Sequence, residues 1–132
     1  VNTDRYGHPG QHWCAIYSNG YGQVECFDSY GRSPARNSID IARWIHKRAN
    51  TVLINPHQLQ GNQSSVCGHY CLLYLRQRQC GVTLHAYVES FDHFNLEAND
   101  AYVVDVISSM YSDCLPNNCI YNQTCNQLMS NM

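Results

Sequence analysis

Residues 59–75 read LQGNQSSVCGHYCLLYL. A polar loop with Gly61, Asn62, Ser64 and Ser65 runs directly into an apolar segment. That segment predicts a helix over residues 65–80, with Gly81 as its C-terminal stop. Its opening turns are apolar nearly all round, which predicts a central position in the domain. Cys67 then falls in the first turn. Backbone N–H groups there lack intrahelical partners and carry the positive end of the helix dipole, and both favour a thiolate. Such surroundings can lower a cysteine pKa from ~8.5 to roughly 3.5–7.5. Gly68 has no Cβ, so another backbone can approach the thiol closely. Gln60, on the approach loop, offers an amide donor that can share an oxyanion with the Cys67 N–H. Cys71, one turn further on, is expected in the core.

Working outward, HWCAIYS, NGYG and QVECFDSYG read as a β-hairpin around an Asn-Gly turn. With the loop centred on Gly20, residues i and 40−i face each other. His12 then lies opposite Asp28, Cys14 opposite Cys26 and Ile16 opposite Val24, while Trp13 lies opposite Phe27 on the other face. An imidazole beside a carboxylate is the base-and-orienter half of a nucleophilic triad. A slip of one residue would put Ser29 opposite His12 instead. Trp13 has two readings: a core side chain on the far face, or the roof of a narrow groove.

Residues 38–47 read as a helix with Ser38 as N-cap and Ile41, Ala42 and Ile45 as its apolar stripe. A short strand is expected over Thr51–Ile54, stopped by Pro56, and a further helix over residues 96–111. Residues 112–132 form a polar, Asn/Gln-rich tail that is expected to be loosely ordered. Strands and helices without regular alternation predict the α+β class. The 132 residues suit one domain, 1–132.

The net charge of −2 and the 14% content of charged residues argue against strong nucleic-acid binding. No apolar run nears the roughly 18–20 residues of a membrane helix, so no membrane partner is expected. The eight cysteines raise a disulfide reading, but Cys14, Cys26 and Cys71 sit in apolar runs as small hydrophobes do. No leader opens the chain, so a reduced, intracellular protein is expected. The start at Val1 suggests a processed product or a fragment. Cys114, Cys119 and Cys125 fit no common zinc spacing, and His46, His57, His85 and His93 show no partners at ligand-like spacing. His69 points away from the face of Cys67, and Arg76 and Arg78 read as a solvated helix face.

Four passages carry a resemblance: VNTDRYGHPGQHW (1–13), VECFDSYGRSP (24–34), LQGNQSSVCGHYCLLYL (59–75) and, more loosely, NDAYVVDVISSMY (99–111). Together they resemble the adenain-like cysteine peptidases of adenoviruses and of Polinton/Maverick-type mobile elements. Related pieces occur in the SUMO and ubiquitin-like proteases. The resemblance implies a papain-like fold, with the nucleophile on a central helix packed against a mixed or antiparallel sheet. It implies His12 as catalytic base, Asp28 as orienting acid, Gln60 as oxyanion donor and Cys67 as nucleophile. Asp28 stands where adenain itself carries Glu, and either carboxylate can hold an imidazole.

The resemblance further implies protein substrates cut near glycine, here precursor polypeptides of a virus or virus-like element. Trp13 and Gly68 would line the substrate groove. The expected protein is a monomer in the host cell, nucleus or virion, with no metal or other cofactor. Adenain is stimulated by a peptide and by DNA, neither of which carries over to residues of this chain. Family members carry a segment before the position of Val1, so the chain is expected to lack its N-terminal part. The alternatives are a ubiquitin- or SUMO-type isopeptidase on the same residues, and an inactive remnant serving as a binding module.

Overall fold

The computed structural model describes residues 1–4 and 7–112. The expected loose tail falls outside the described residues from position 113 on, as do Cys114, Cys119 and Cys125.

The hairpin is formed by β1 (Ala15–Ser18) and β2 (Gln23–Phe27), antiparallel. The loop between them is built by Asn19, whose Oδ1 accepts from Tyr21 N at 2.9 Å and Gln23 N at 3.2 Å. Gly20 and Gly22 both take positive φ, +78° and +84°, which L side chains rarely adopt. The loop is thereby centred on Tyr21, and the register is Ala15↔Phe27, Ile16↔Cys26, Tyr17↔Glu25, Ser18↔Val24. This corrects the register expected from a turn at Gly20. His12 is not directly opposite Asp28, and Trp13 is not opposite Phe27. The displacement is two residues, an even number, so every side chain keeps its face. His12 and Asp28 become a diagonal pair, still within reach of long side chains.

After β2 the chain forms the short helix α1 (Pro34–Asn37) and then α2 (Ile39–His46). The Ser38 hydroxyl caps α2 by accepting from Ile41 N at 3.5 Å. Ile45 and Ile41 pack on Val24 and Cys26 of β2 in a small satellite core. The strand β3 (Thr51–Ile54) runs parallel to β2, giving a three-stranded sheet in the order β1-β2-β3.

The long helix α3 (Cys67–Gln79) packs against β1, α4 (Leu84–Glu89) and α5 (Leu96–Ser112). It is less buried than its composition suggests. Cys67, Tyr70, Cys71, Leu73, Tyr74 and Gln77 form the buried face, while Leu72 and Leu75 are exposed. Tyrosines dominate the main core because each can bury a ring and still satisfy its hydroxyl. Tyr87 donates to the Tyr70 carbonyl at 2.9 Å, and the Tyr70 hydroxyl lies 2.9 Å from both the Leu59 carbonyl and Asp100. Tyr74 donates to the buried Glu25, which also accepts from Arg78 Nε at 2.9 Å. Arg78 is therefore an ion-pair partner stacked over Tyr17 and not a solvated charge.

The architecture is mixed, with a small sheet and helices, compatible with the α+β class. Among the described residues, no helix is long and apolar enough to cross a membrane. Among the described residues, Cys14, Cys26, Cys67 and Cys71 are free thiols.

Candidate active site

Asp28 follows β2 directly and is fully buried. A buried carboxylate is costly unless its lone pairs are met, and every one of these is. Oδ1 accepts from His12 Nε2 at 3.0 Å and from Tyr30 N at 2.7 Å. Oδ2 accepts from the Asn37 amide at the end of α1, and the Cys14 thiol points at it from 3.6 Å. Burial alone would raise the Asp28 pKa. The hydrogen bonds from His12, Asn37 and the Tyr30 N–H outweigh that and hold it below the usual carboxylate value. The same surroundings keep Cys14 protonated, because burial and the Asp28 charge push its thiol far up.

His12 is buried, with its ring 5.1 Å from that of Tyr30. Its Nε2 is committed to Asp28, which leaves Nδ1 for the other side. There the ring and the Cys67 thiol line one cavity, and each shifts the other's pKa. Burial pulls the imidazolium pKa down, but the hydrogen bonds with Asp28 and Cys67 and the charges on both raise it to about 9.

Cys67 is the first residue of α3, and Val66 before it offers no side-chain cap. The His69 and Tyr70 N–H groups bond the Val66 carbonyl, so of the first turn it is the Gly68 N–H that is left for the sulfur. The hydrogen bond with His12 is the main force lowering the Cys67 pKa. Burial opposes it, and the N–H groups of Trp13 and Gly68 add to it. One turn along, Cys71 behaves as core. Burial pushes its thiol up to about 12, and the S–H donates to the Trp13 carbonyl at 3.4 Å. The peptide units on either side of Trp13 are thus gripped by two successive turns of α3, which ties the hairpin to the helix beside His12.

Gln60 is fully buried, not a solvated loop residue. Its Nε2 donates to the Ser64 carbonyl at 3.0 Å and its Oε1 accepts from the Ser29 hydroxyl at 2.7 Å. A carbonyl can only accept, so the Ser64 contact fixes which end of the amide is nitrogen. The second Nε2 hydrogen is left for the cavity. Gln60, His12, Trp13, Tyr30 and Cys67 line one cavity of about 300 Å³. Trp13 is 50% exposed there, so the reading as a core tryptophan does not hold. Gly68 lies under its edge: a Cβ at that position would meet Trp13 Cδ1 at 4.0 Å and nothing nearer.

All six residues singled out in the sequence therefore lie at or beside this cavity. Sequence reasoning missed Asn37, Asn55, Ser29 and Tyr30 as supports of the carboxylate and the amide. Only Ser29 and Tyr30 carried a signal, through their adjacency to Asp28. Chemically, the arrangement holds a thiol, an imidazole and a buried carboxylate in series, with amide donors beside the sulfur.

No family model matches the chain, and no solved structure matches it. Among curated proteins, a cysteine protease from African swine fever virus is 32% identical over 107 residues, an alignment covering 71% of this chain and 35% of the viral protein. The chain thus spans about a third of the length of that relative. The similarity relates the chain to cysteine proteases in the broad sense.

Proposed function

We propose that this chain is a cysteine endopeptidase of the adenain-like type, cutting precursor proteins of a virus or virus-like element beside glycine inside an infected cell. The observation that carries the reading is that one buried imidazole, His12, bonds to the buried Asp28 and lines the same cavity as the thiol at the start of α3. The likeness to a viral cysteine protease supports the same reaction class.

In the proposed mechanism, His12 takes the Cys67 proton and the thiolate sulfur attacks the peptide carbonyl carbon. The carbonyl electrons move to oxygen, where the Gln60 amide and the Cys67 N–H donate to the oxyanion. Collapse breaks the C–N bond, and the His12 imidazolium protonates the departing amine. His12 then deprotonates a water that attacks the thioester, and Cys67 leaves as thiolate. Asp28 stays ionised throughout and holds the imidazole in orientation. Trp13 is half-exposed on the cavity that holds the nucleophile, and a groove roofed by its ring would suit a substrate residue without a side chain.

The test is hydrolysis of a fluorogenic peptide ending in Gly-Gly, run beside fluorogenic ubiquitin and SUMO derivatives. Cleavage of the short peptide, abolished in Cys67→Ala, is expected. Cleavage of only the ubiquitin or SUMO derivative would reassign the site to an isopeptidase. No cleavage of any of them would favour a binding module.

A further inference from the structure

On the far side of the Gln60 loop lies a second cluster of chemically capable side chains. We propose that His57, Glu89 and His93 form a binding site for a divalent transition-metal ion of the zinc class. Their ligand atoms all lie within 4.8 Å of one another. The two imidazole rings stack at 4.4 Å between centroids and 18° between planes, which brings the two side chains together.

The donor set is two imidazoles and one carboxylate, which suits zinc, cobalt and nickel ahead of calcium or magnesium. Tetrahedral zinc with bonds of about 2.0–2.1 Å needs ligand atoms roughly 3.3 Å apart. His57 and Glu89 are exposed and His93 is partly so, so the side chains have room to rotate out of the ring stack and converge on one ion.

His93 also has the outer contact that metal-binding histidines use. Its Nε2 faces the Val88 carbonyl at 3.4 Å, and a carbonyl only accepts, so Nε2 carries the hydrogen. In the neutral ring Nδ1 then bears the free lone pair, with the ring oriented by the Val88 carbonyl.

The three backbones beneath these side chains are fixed. The His57 carbonyl accepts from Asn55 at 3.1 Å, and its peptide packs so closely under Gly31 that a Cβ there would sit 2.8 Å from His57 C. Glu89 ends α4, next to the buried Val88. His93 sits in a turn where the Asp92 carboxylate accepts from Phe94 N and Asn95 N, and Asn99 holds the Asp92 backbone. A bound ion would therefore join the segment leading to Gln60 to the turn between α4 and α5. Residues far apart in sequence would be cross-linked without touching Cys67.

Cobalt(II) titrated into the full chain is the probe. One equivalent is expected to bind with visible d–d bands and no thiolate-to-cobalt charge transfer in that component. His57→Ala and His93→Ala should each weaken it by about tenfold or more, and the double variant should lose it while keeping its circular dichroism. Zinc should raise the Tm of the native chain and leave that of the double variant unchanged. Cobalt binding that persists undiminished in the double variant would assign the ion to sulfur ligands or to the His12, Cys14 and Asp28 cluster, and would overturn the proposal. So would the absence of binding up to millimolar metal.

Discussion

Asn55 grips both backbone ends of Asp28: its Oδ1 accepts from Asp28 N at 2.9 Å and its Nδ2 donates to Asp28 O at 2.7 Å. The pair lies just past the parallel register Cys26↔Ile54, where β2 and β3 part. The side chain continues the ladder that the backbone no longer makes, and it sets the position of the carboxylate. Asn55→Ala would strand the buried Asp28 N–H, at about 1–3 kcal/mol, while the Asp28 carbonyl would keep its bond from Gly31 N at 2.8 Å. A loss of about 1–3 kcal/mol in urea denaturation is expected, together with a fall in kcat measured on the folded fraction. An unchanged midpoint would show that water or another group replaces the amide.

Asp28→Asn tests the electrostatics. The Asp28 hydrogen bond and charge help raise His12 to about 9 against its burial. Without the negative charge the imidazolium is less favoured, so the His12 pKa falls. A raised pKa means the protonated form survives to higher pH, so the alkaline limb of the pH–rate profile should move to lower pH in the variant. The rate should fall as well. A slower enzyme with an unmoved alkaline limb would mean that Asp28 acts through shape alone.

Gln60→Ala should lower kcat by about 10²–10³-fold, the usual cost of one oxyanion donor, with KM little changed. Ser29→Ala removes the hydroxyl that fixes the amide oxygen from 2.7 Å and should give a smaller loss in kcat. Gln60 is fully buried, so both variants need a denaturation curve alongside the kinetics. A Gln60→Ala protein that is less stable but turns over normally when folded would remove the oxyanion role.

Gly68→Ala separates fold from groove. The added methyl would sit 4.0 Å from Trp13 Cδ1, an ordinary contact, so Tm should hold. The methyl would stand beside the nucleophile, so KM for glycine-containing substrates should rise. Trp13→Ala should relax the preference for glycine over alanine next to the scissile bond. Equal losses on both substrates would take Trp13 out of the groove.

What could be read from the chain alone follows physical range. The α2 stripe, the Ser38 cap and the Thr51–Ile54 strand are local signals, and they appear where periodicity and capping place them. The hairpin shows why a partly wrong reading can still find the right pair. Two glycines at positive φ and the Asn19 side chain set a wider loop than a simple Asn-Gly turn. The register moved by an even step, so His12 and Asp28 stayed on one face. Asn37 and Asn55 were illegible because their meaning lies in contacts with a residue distant in sequence. His57 and His93 looked isolated for the same reason. The exposure of Leu72 and Leu75 on α3 depends on which neighbours cover the helix, and helix composition does not encode that.

The central claim is that His12 activates Cys67, and alkylation tests it most directly. Iodoacetamide labelling of the full chain, followed by peptide mapping across pH 5–9, reads the thiolate fraction at Cys67 itself. An ordinary thiol with a pKa of ~8.5 is largely protonated and slow to react near pH 6. Because His12 is the main force lowering the Cys67 pKa, labelling of Cys67 near pH 6 should be faster in the native chain than that of an ordinary thiol. In His12→Ala it should slow by about tenfold or more and follow the pH curve of an ordinary thiol. Equal labelling rates at pH 6 in the two proteins would contradict the account.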